Sequence, residues 1–102
     1  MAIIEVTVIP IGTATTSLSA YVADLHRMLE SAEEPIRFEM TSMSTIIEGD
    51  LEDLMNVVRR LHEVPFIHGA HRVSTSIKID DRRDKAASME QKLRSVQEKL
   101  KG

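Results

Sequence analysis

The chain has 102 residues, a net charge of −3 and 42% hydrophobic residues, which predicts one folded domain spanning residues 1–102. This charge offers no electrostatic basis for binding nucleic acid, and no apolar run approaches the roughly 20 residues that span a bilayer. The absence of cysteine excludes disulfide and thiolate chemistry, and the first residues resemble a strand rather than a signal peptide. We therefore expect a soluble, cytoplasmic protein that contacts neither nucleic acid nor membrane.

The first two predicted elements are a strand and a helix. Apolar and polar residues alternate over residues 3–9, which is typical of a strand with one buried face. From Ser17 onward the apolar period becomes helical, and Pro35 ends this helix because the residue before a proline disfavours α conformation. The apolar positions of the helix are Leu18, Tyr21, Val22, Leu25, Met28 and Leu29.

Two short strands and a second helix follow. Residues 36–40 and 44–48 alternate as strands do, and Asp50 is a suitable N-cap for the helix after them. The apolar face of this helix consists of Leu51, Leu54, Met55, Val58 and Leu61. The segment EVPFIHGAH, which contains both proline and glycine, is predicted to be irregular.

Residues 72–80 alternate again and predict a fourth strand, with Val73, Thr75, Ile77 and Ile79 on one face. The element order is then β-α-β-β-α-β, which is the split βαβ arrangement of ferredoxin-like folds. We therefore predict an α+β protein with a four-stranded antiparallel sheet and two helices on one of its faces.

A third helix is predicted at about residues 84–100, and its pattern differs from the other two. Its apolar residues form a narrow seam of two per heptad, namely Met89, Leu93, Val96 and Leu100. This seam suits packing along another helix, which a second subunit could supply. The alternative is that the helix folds back on its own domain.

The stretch PIGTATTSLSAYV carries more hydroxyl groups than one helix N-cap requires. The simpler interpretation is that Thr16 or Ser17 caps the first helix and the other threonines occupy a loop. The alternative is a polar ligand site, where free N–H groups and the helix dipole favour acceptor groups and Gly12 allows close approach. The stretch is not a P-loop, because the Gly-Lys-Ser/Thr ending is absent.

The sequence gives weaker support to other candidate sites. Glu48 lies at the end of a predicted central strand. It is either a solvent-facing carboxylate or part of a ligand site, and the strand pattern does not decide between the two. The spacing of His62, His68 and His71 does not match a metal-binding motif, so we predict no metal. The sequence contains no recognisable nucleophile–base signature, and its three aromatic residues are too few for stacking RNA bases.

Four motifs occur together and in order: PIGT…SLSAYV, STIIEGD, GAHRVSTSIKIDDRRDK and MEQKLRSV. Together they resemble the small thiamine-binding-protein family, and the resemblance covers nearly the whole chain. It implies a ferredoxin-like fold, no established catalytic activity, and a homotetramer formed as a dimer of dimers. It also implies binding of thiamine or its hydroxymethylpyrimidine moiety.

The resemblance assigns the ligand site to residues that match the family motifs. These are Gly12, Thr13, Ser17, Thr45, Glu48, Gly49 and Arg72. We therefore expect a non-catalytic protein that binds thiamine or a related hydroxymethylpyrimidine and has no cofactor. The alternative is a structural or regulatory homo-oligomeric module without a dedicated ligand.

Overall fold

The computed structural model describes residues 1–12, 19–84 and 89–101, and its elements follow the predicted order. Their bounds are β1 Ala2–Pro10, α1 Ser19–Ser31, β2 Arg37–Met40, β3 Thr45–Gly49, α2 Leu51–Ile67, β4 Val73–Asp81 and α3 Met89–Lys101. The predicted start of the first helix at Ser17 lies outside the described residues. Asp50 occupies the N-cap position of α2, but its side chain makes no capping hydrogen bond.

The four strands form an antiparallel sheet in the order β2-β3-β1-β4, which confirms the predicted ferredoxin-like α+β architecture. β1 is an inner strand because it pairs with both β3 and β4. Ile4, for example, lies opposite Ile47 on one side and Ile79 on the other. β2 and β4 are therefore the edges of the sheet.

The hydrophobic core lies between one face of the sheet and helices α1 and α2. Ile4, Val6 and Ile47 are buried on that face because alternate side chains of a strand share a side. The helices contribute Leu25, Leu29, Leu54, Val57, Val58, Leu61 and Val64. The predicted apolar faces are therefore confirmed at these positions, except that burial of Val57 and Val64 was not predicted.

Two predicted core residues are exposed instead, Val22 at 47% and Met55 at 40%. Met55 follows the buried Leu54 and is therefore turned by about 100° around the helix axis, away from the packed stripe. Val22 precedes the turns of α1 that contain its buried residues, Leu25 and Leu29. The buried stripe of α2 includes Val57 and Val64 instead of Met55, so it is displaced around the helix axis from the predicted face.

The segment EVPFIHGAH is not irregular throughout, because α2 continues through Pro65 to Ile67. Pro65 has no N–H group for the helical ladder, but its side chain is fully buried in the core. Beyond it, the N–H groups of His68 and Ala70 donate to the Pro65 carbonyl and close the helix end. Burial and closure at the last turn therefore accommodate the proline.

The sheet face opposite α1 and α2 is called the open face below. It carries Ile3, Glu5, Arg37, Glu39, Ile46, Glu48, Lys78 and Asp80, as strand alternation and register require. The described part of α3 is Met89–Lys101, and residues 85–88, in which the predicted helix starts, lie outside the described residues. Lys92 of α3 forms an ion pair with Asp80, so α3 begins beside the open face.

Candidate functional site

Gly12 and Arg72 lie beside each other at the end of the sheet where β1 finishes and β4 starts. The N–H of Ile11 donates to the carbonyl of Arg72 at 2.8 Å. Gly12 has a φ of 77°, a left-handed conformation that favours glycine, although a Cβ there would meet no atom within 4 Å. This place is called the loop end below. Thr13 and Ser17 lie outside the described residues, so their role stays a prediction.

Glu48 and Gly49 lie near the opposite end of the sheet. Glu48 is opposite Ile3 and Gly49 is opposite Ala2, whereas Pro10 is opposite Val73, next to Arg72. Seven residues of extended strand separate Ile3 from Pro10, which amounts to roughly 23 Å. Within one chain, a single small ligand therefore does not reach both groups.

Glu48 is neither a solvent-facing carboxylate nor an unpaired one. Its side chain is 3% exposed, and its Oε1 lies 3.1 Å from Nη1 of Arg37 on the neighbouring strand. The charge of Glu48 is therefore already compensated by a guanidinium group. A Cβ on Gly49 would lie 3.3 Å from the carbonyl oxygen of Pro35, so tight packing accounts for this glycine.

Thr45 lies on the other face of the sheet from Glu48. It is opposite Val6, a core residue, and it is itself buried. Because successive strand residues point to opposite faces, Thr45 and Glu48 are three positions apart and point in opposite directions. The described residues among the seven that the resemblance assigns therefore lie in three separate places. Gly12 is beside Arg72, Glu48 is next to Gly49, and Thr45 lies on the core face.

A polar cluster on the helical side was not predicted from the sequence. His68, just after α2, lies with Nε2 at 2.5 Å from Oδ2 of Asp24 on α1. The ring of Tyr21 meets the His68 ring edge-on at a centroid distance of 5.8 Å. The signal in the sequence is the spacing of Tyr21 and Asp24, three residues apart on one helix face. This cluster brings an aromatic ring, a carboxylate and an imidazole together.

Two other histidines, His26 and His62, have structural partners. Nδ1 of His62 lies 2.6 Å from Oγ1 of Thr75, which links α2 to β4. His26 lies between Glu30 and Met40, with contacts of 2.6 and 3.0 Å. Within residues 1–12, 19–84 and 89–101, no three histidine, aspartate or glutamate side chains are arranged to hold a metal ion.

A cavity of about 310 Å³ lies between the open face and the start of α3. Ile3, Ile46 and Leu93 form its apolar lining. Its charged lining consists of Glu5, Glu39, Lys78, Asp80 and Lys92. Sequence alternation places Glu5 and Glu39 on strands, but only the strand register shows that both flank Ile46. None of the helices in the described ranges is long and apolar enough to cross a membrane.

Comparison with known proteins agrees with this architecture. The chain is 54% identical over 102 residues to the UPF0045 protein YqgV of Bacillus subtilis, covering 98% of each chain. The crystal structure of hypothetical protein MJ1052 from Methanocaldococcus jannaschii superposes with a TM-score of 0.81 at 31% identity, covering 95% of this chain and 96% of that one.

A more distant structure shows the fold alone. It is a Thermotoga maritima protein provisionally named for thiamine biosynthesis or salvage, with a TM-score of 0.72 and 19% identity. The superposition covers 93% of this chain and 97% of the Thermotoga maritima chain. The family model described as "Thiamine-binding protein" matches residues 4–97. This chain therefore belongs to the thiamine-binding protein family.

Proposed function

We propose that this protein is a non-catalytic, cytoplasmic binding protein for thiamine or a related hydroxymethylpyrimidine. The observation that carries the proposal is the match of residues 4–97 to a family described as thiamine-binding. The fold shared with a protein provisionally named for thiamine biosynthesis or salvage agrees with it.

The chemistry of the ligand suits groups that the chain presents. An aminopyrimidine has an exocyclic amine that donates hydrogen bonds and ring nitrogens that accept them, and thiamine adds a positively charged thiazolium ring. Carboxylates beside apolar side chains provide complementary contacts, as in most small-molecule sites. The cavity of about 310 Å³ lies within the usual range of roughly 300 to 1,000 Å³ for such sites.

The residues that the resemblance assigns remain candidate contacts, with one geometric restriction. Gly12 and Arg72 lie beside each other, and Thr13 and Ser17, which are close to Gly12 in the sequence, lie outside the described residues. Glu48 and Gly49 lie too far along the sheet to join them in one chain. The loop end is therefore the first alternative to the open-face cavity.

Titration of the purified protein with thiamine, thiamine monophosphate and hydroxymethylpyrimidine tests the proposed function. A ligand at a hundred times its dissociation constant should add about 2.7 kcal/mol to the apparent free energy of unfolding, which a thermal shift detects. Calorimetry then gives the affinity. If none of the three ligands shifts the melting temperature or releases heat on binding, the proposal is wrong.

A second candidate function is a homo-oligomeric module without a ligand. Ile77 and Ile79 on the edge strand β4 are 42% and 47% exposed, although they lie on the side of the sheet that carries the core. Exposed apolar residues along an unpaired edge favour association with another chain. An oligomer that binds none of the three ligands would support this alternative.

A further inference from the structure

The open-face cavity contains a row of side chains fixed by strand register. Lys78 of β4 lies opposite Glu5 of β1, Glu5 lies opposite Ile46 of β3, and Ile46 lies opposite Glu39 of β2. Across the sheet, the row therefore reads ammonium, carboxylate, apolar, carboxylate. With strands about 4.8 Å apart, its two ends are separated by roughly 14 Å between Cα atoms.

The two ends of this row carry charges that the described residues do not neutralise. Glu39 and Lys78 take part in no ion pair or side-chain hydrogen bond among the residues that the structure describes. The middle carboxylate, Glu5, accepts a hydrogen bond from the Ser44 hydroxyl at 3.3 Å. The cavity thus has a negative end at β2 and a positive end at β4.

The space between the two ends is apolar. Ile3 and Ile46 form the floor, and Leu93 of α3 forms the roof. The ion pair of Lys92 with Asp80 connects α3 to the sheet beside the cavity, and because its two charges offset each other, Lys78 supplies the net positive charge at the β4 side. A flat ring between these aliphatic groups would lose water on both faces.

We propose that this cavity binds the phosphate ester of a flat heterocyclic cation, with the ring near Glu39 and Glu5 and the phosphate near Lys78. This inference rests on the proposed function and specifies it further: the preferred ligand is the phosphorylated form, thiamine monophosphate rather than thiamine. Ligand charge and site charge are then complementary at both ends.

Calorimetry with thiamine and thiamine monophosphate on three full-length proteins tests the inference. The wild type should bind the monophosphate about tenfold or more tightly, because a charge-assisted hydrogen bond to phosphate is added. Lys78→Gln should remove this preference, so that thiamine and thiamine monophosphate bind with equal affinity. Glu39→Gln should lower the affinity for both ligands by about tenfold.

Matched controls carry the same chemical changes away from the cavity. Glu63→Gln alters an exposed carboxylate on α2, and Lys99→Gln alters an exposed ammonium near the end of α3. Both should bind like the wild type. Thermal melts without ligand should show that Glu39→Gln and Lys78→Gln are folded, because both side chains are exposed.

The outcomes separate this inference from the proposed function. If neither compound binds the wild type, the proposed function itself fails. If both bind but the cavity variants behave like the controls, the function stands, the cavity assignment is overturned, and Ser17→Ala becomes the test of the loop end. Equal affinity of the wild type for the two compounds overturns the preference for the phosphate ester.

Discussion

Glu48, a carboxylate that the family resemblance assigns to the ligand site, is buried and forms an ion pair with the exposed side chain of Arg37. Arg37→Gln should lower the free energy of unfolding by about 1–3 kcal/mol, because the carboxylate of Glu48 then loses its cation while 3% exposed. This loss of unfolding free energy is smaller than for a fully buried ion pair, since Arg37 is largely exposed to solvent. Urea denaturation of the variant measures it.

Glu48→Gln is the companion variant, and it should leave the affinity for either thiamine compound unchanged within about twofold. Glu48 does not line the cavity, and it is remote from the loop end. A large loss of affinity in a variant of normal stability would show instead that Glu48 contacts the ligand, as the resemblance implies.

A second ion pair predicts a pH dependence. Nη2 of Arg60 donates to Oε1 of Glu34 at 2.6 Å, and this hydrogen bond lowers the pKa of the Glu34 carboxyl from its ordinary value of 4.5. Because the folded-state pKa is lowered, the stabilisation is fully present above pH 4.5 and is lost as the pH falls through the lowered pKa.

Arg60→Gln should therefore be less stable than the wild type at pH 7, and the difference should shrink as the pH falls below 4.5. Urea midpoints of both proteins between pH 7 and pH 3 provide the measurement. A difference that stays constant over this range would contradict a role for the Glu34 charge.

Single-residue chemistry is also where prediction of the site from sequence was least complete. Alternation correctly separates Thr45 from Glu48, but it does not reveal Arg37 as the partner, because pairing depends on the register of β2 against β3. Asp24 and His68 come together only through packing of α1 against α2. Contacts of this kind are set by tertiary structure and leave no local signal.

At the scale of whole elements, α3 is attached to the molecule by few contacts. Leu93, Val96 and Leu100 are 65%, 57% and 81% exposed, so the predicted seam is largely uncovered in a single chain. Removing residues 85–102 should change the free energy of unfolding by less than about 1 kcal/mol, since exposed side chains contribute little.

The same truncation should abolish the preference for thiamine monophosphate, because it removes Lys92 and the Leu93 roof of the cavity. Denaturation and calorimetry on one preparation test both statements. A truncated chain that unfolds at a much lower urea concentration would show that α3 supports the core; one that keeps its ligand preference would separate α3 from the cavity.

Most elements could be predicted because their apolar periods are regular. β1 and β4 alternate over their length, and α1 and α2 keep a helical spacing, so their order and faces follow from the pattern. The exception is Pro65, because a proline normally interrupts a helix. Here its ring is buried in the core, and later N–H groups donate to its carbonyl, so α2 continues through it.

At the scale of the molecule, the shape of the chain suggests that it has a partner. The radius of gyration is 15.3 Å, against about 13 Å for a compact domain of this length, and the longest dimension is 51 Å. We propose the homo-oligomer that the family resemblance implies, a dimer of dimers, in which the edge of β4 with its exposed Ile77 and Ile79 contributes an interface.

Ile79→Lys should reduce the size of this assembly, because a lysine on an edge strand opposes pairing with another chain. Light scattering coupled to size exclusion gives the mass, and Glu63→Lys on the exposed side of α2 is the control. A wild-type monomer at micromolar concentration would contradict the assembly, and an unchanged variant would remove β4 from the interface.

The central position of β1 also has a consequence for how the chain folds during synthesis. β1 leaves the ribosome first, yet its partners begin only at Thr45 and Val73, and Ala2 pairs with Asp81 across about 80 residues. Such distant pairing is slow, because the chain loses the entropy of closing a long loop before the stabilising strand contacts form. Until β4 emerges, the isoleucine-rich nascent strand has an unpaired edge, so the sheet of this domain is completed only after residues 73–81 have left the ribosome.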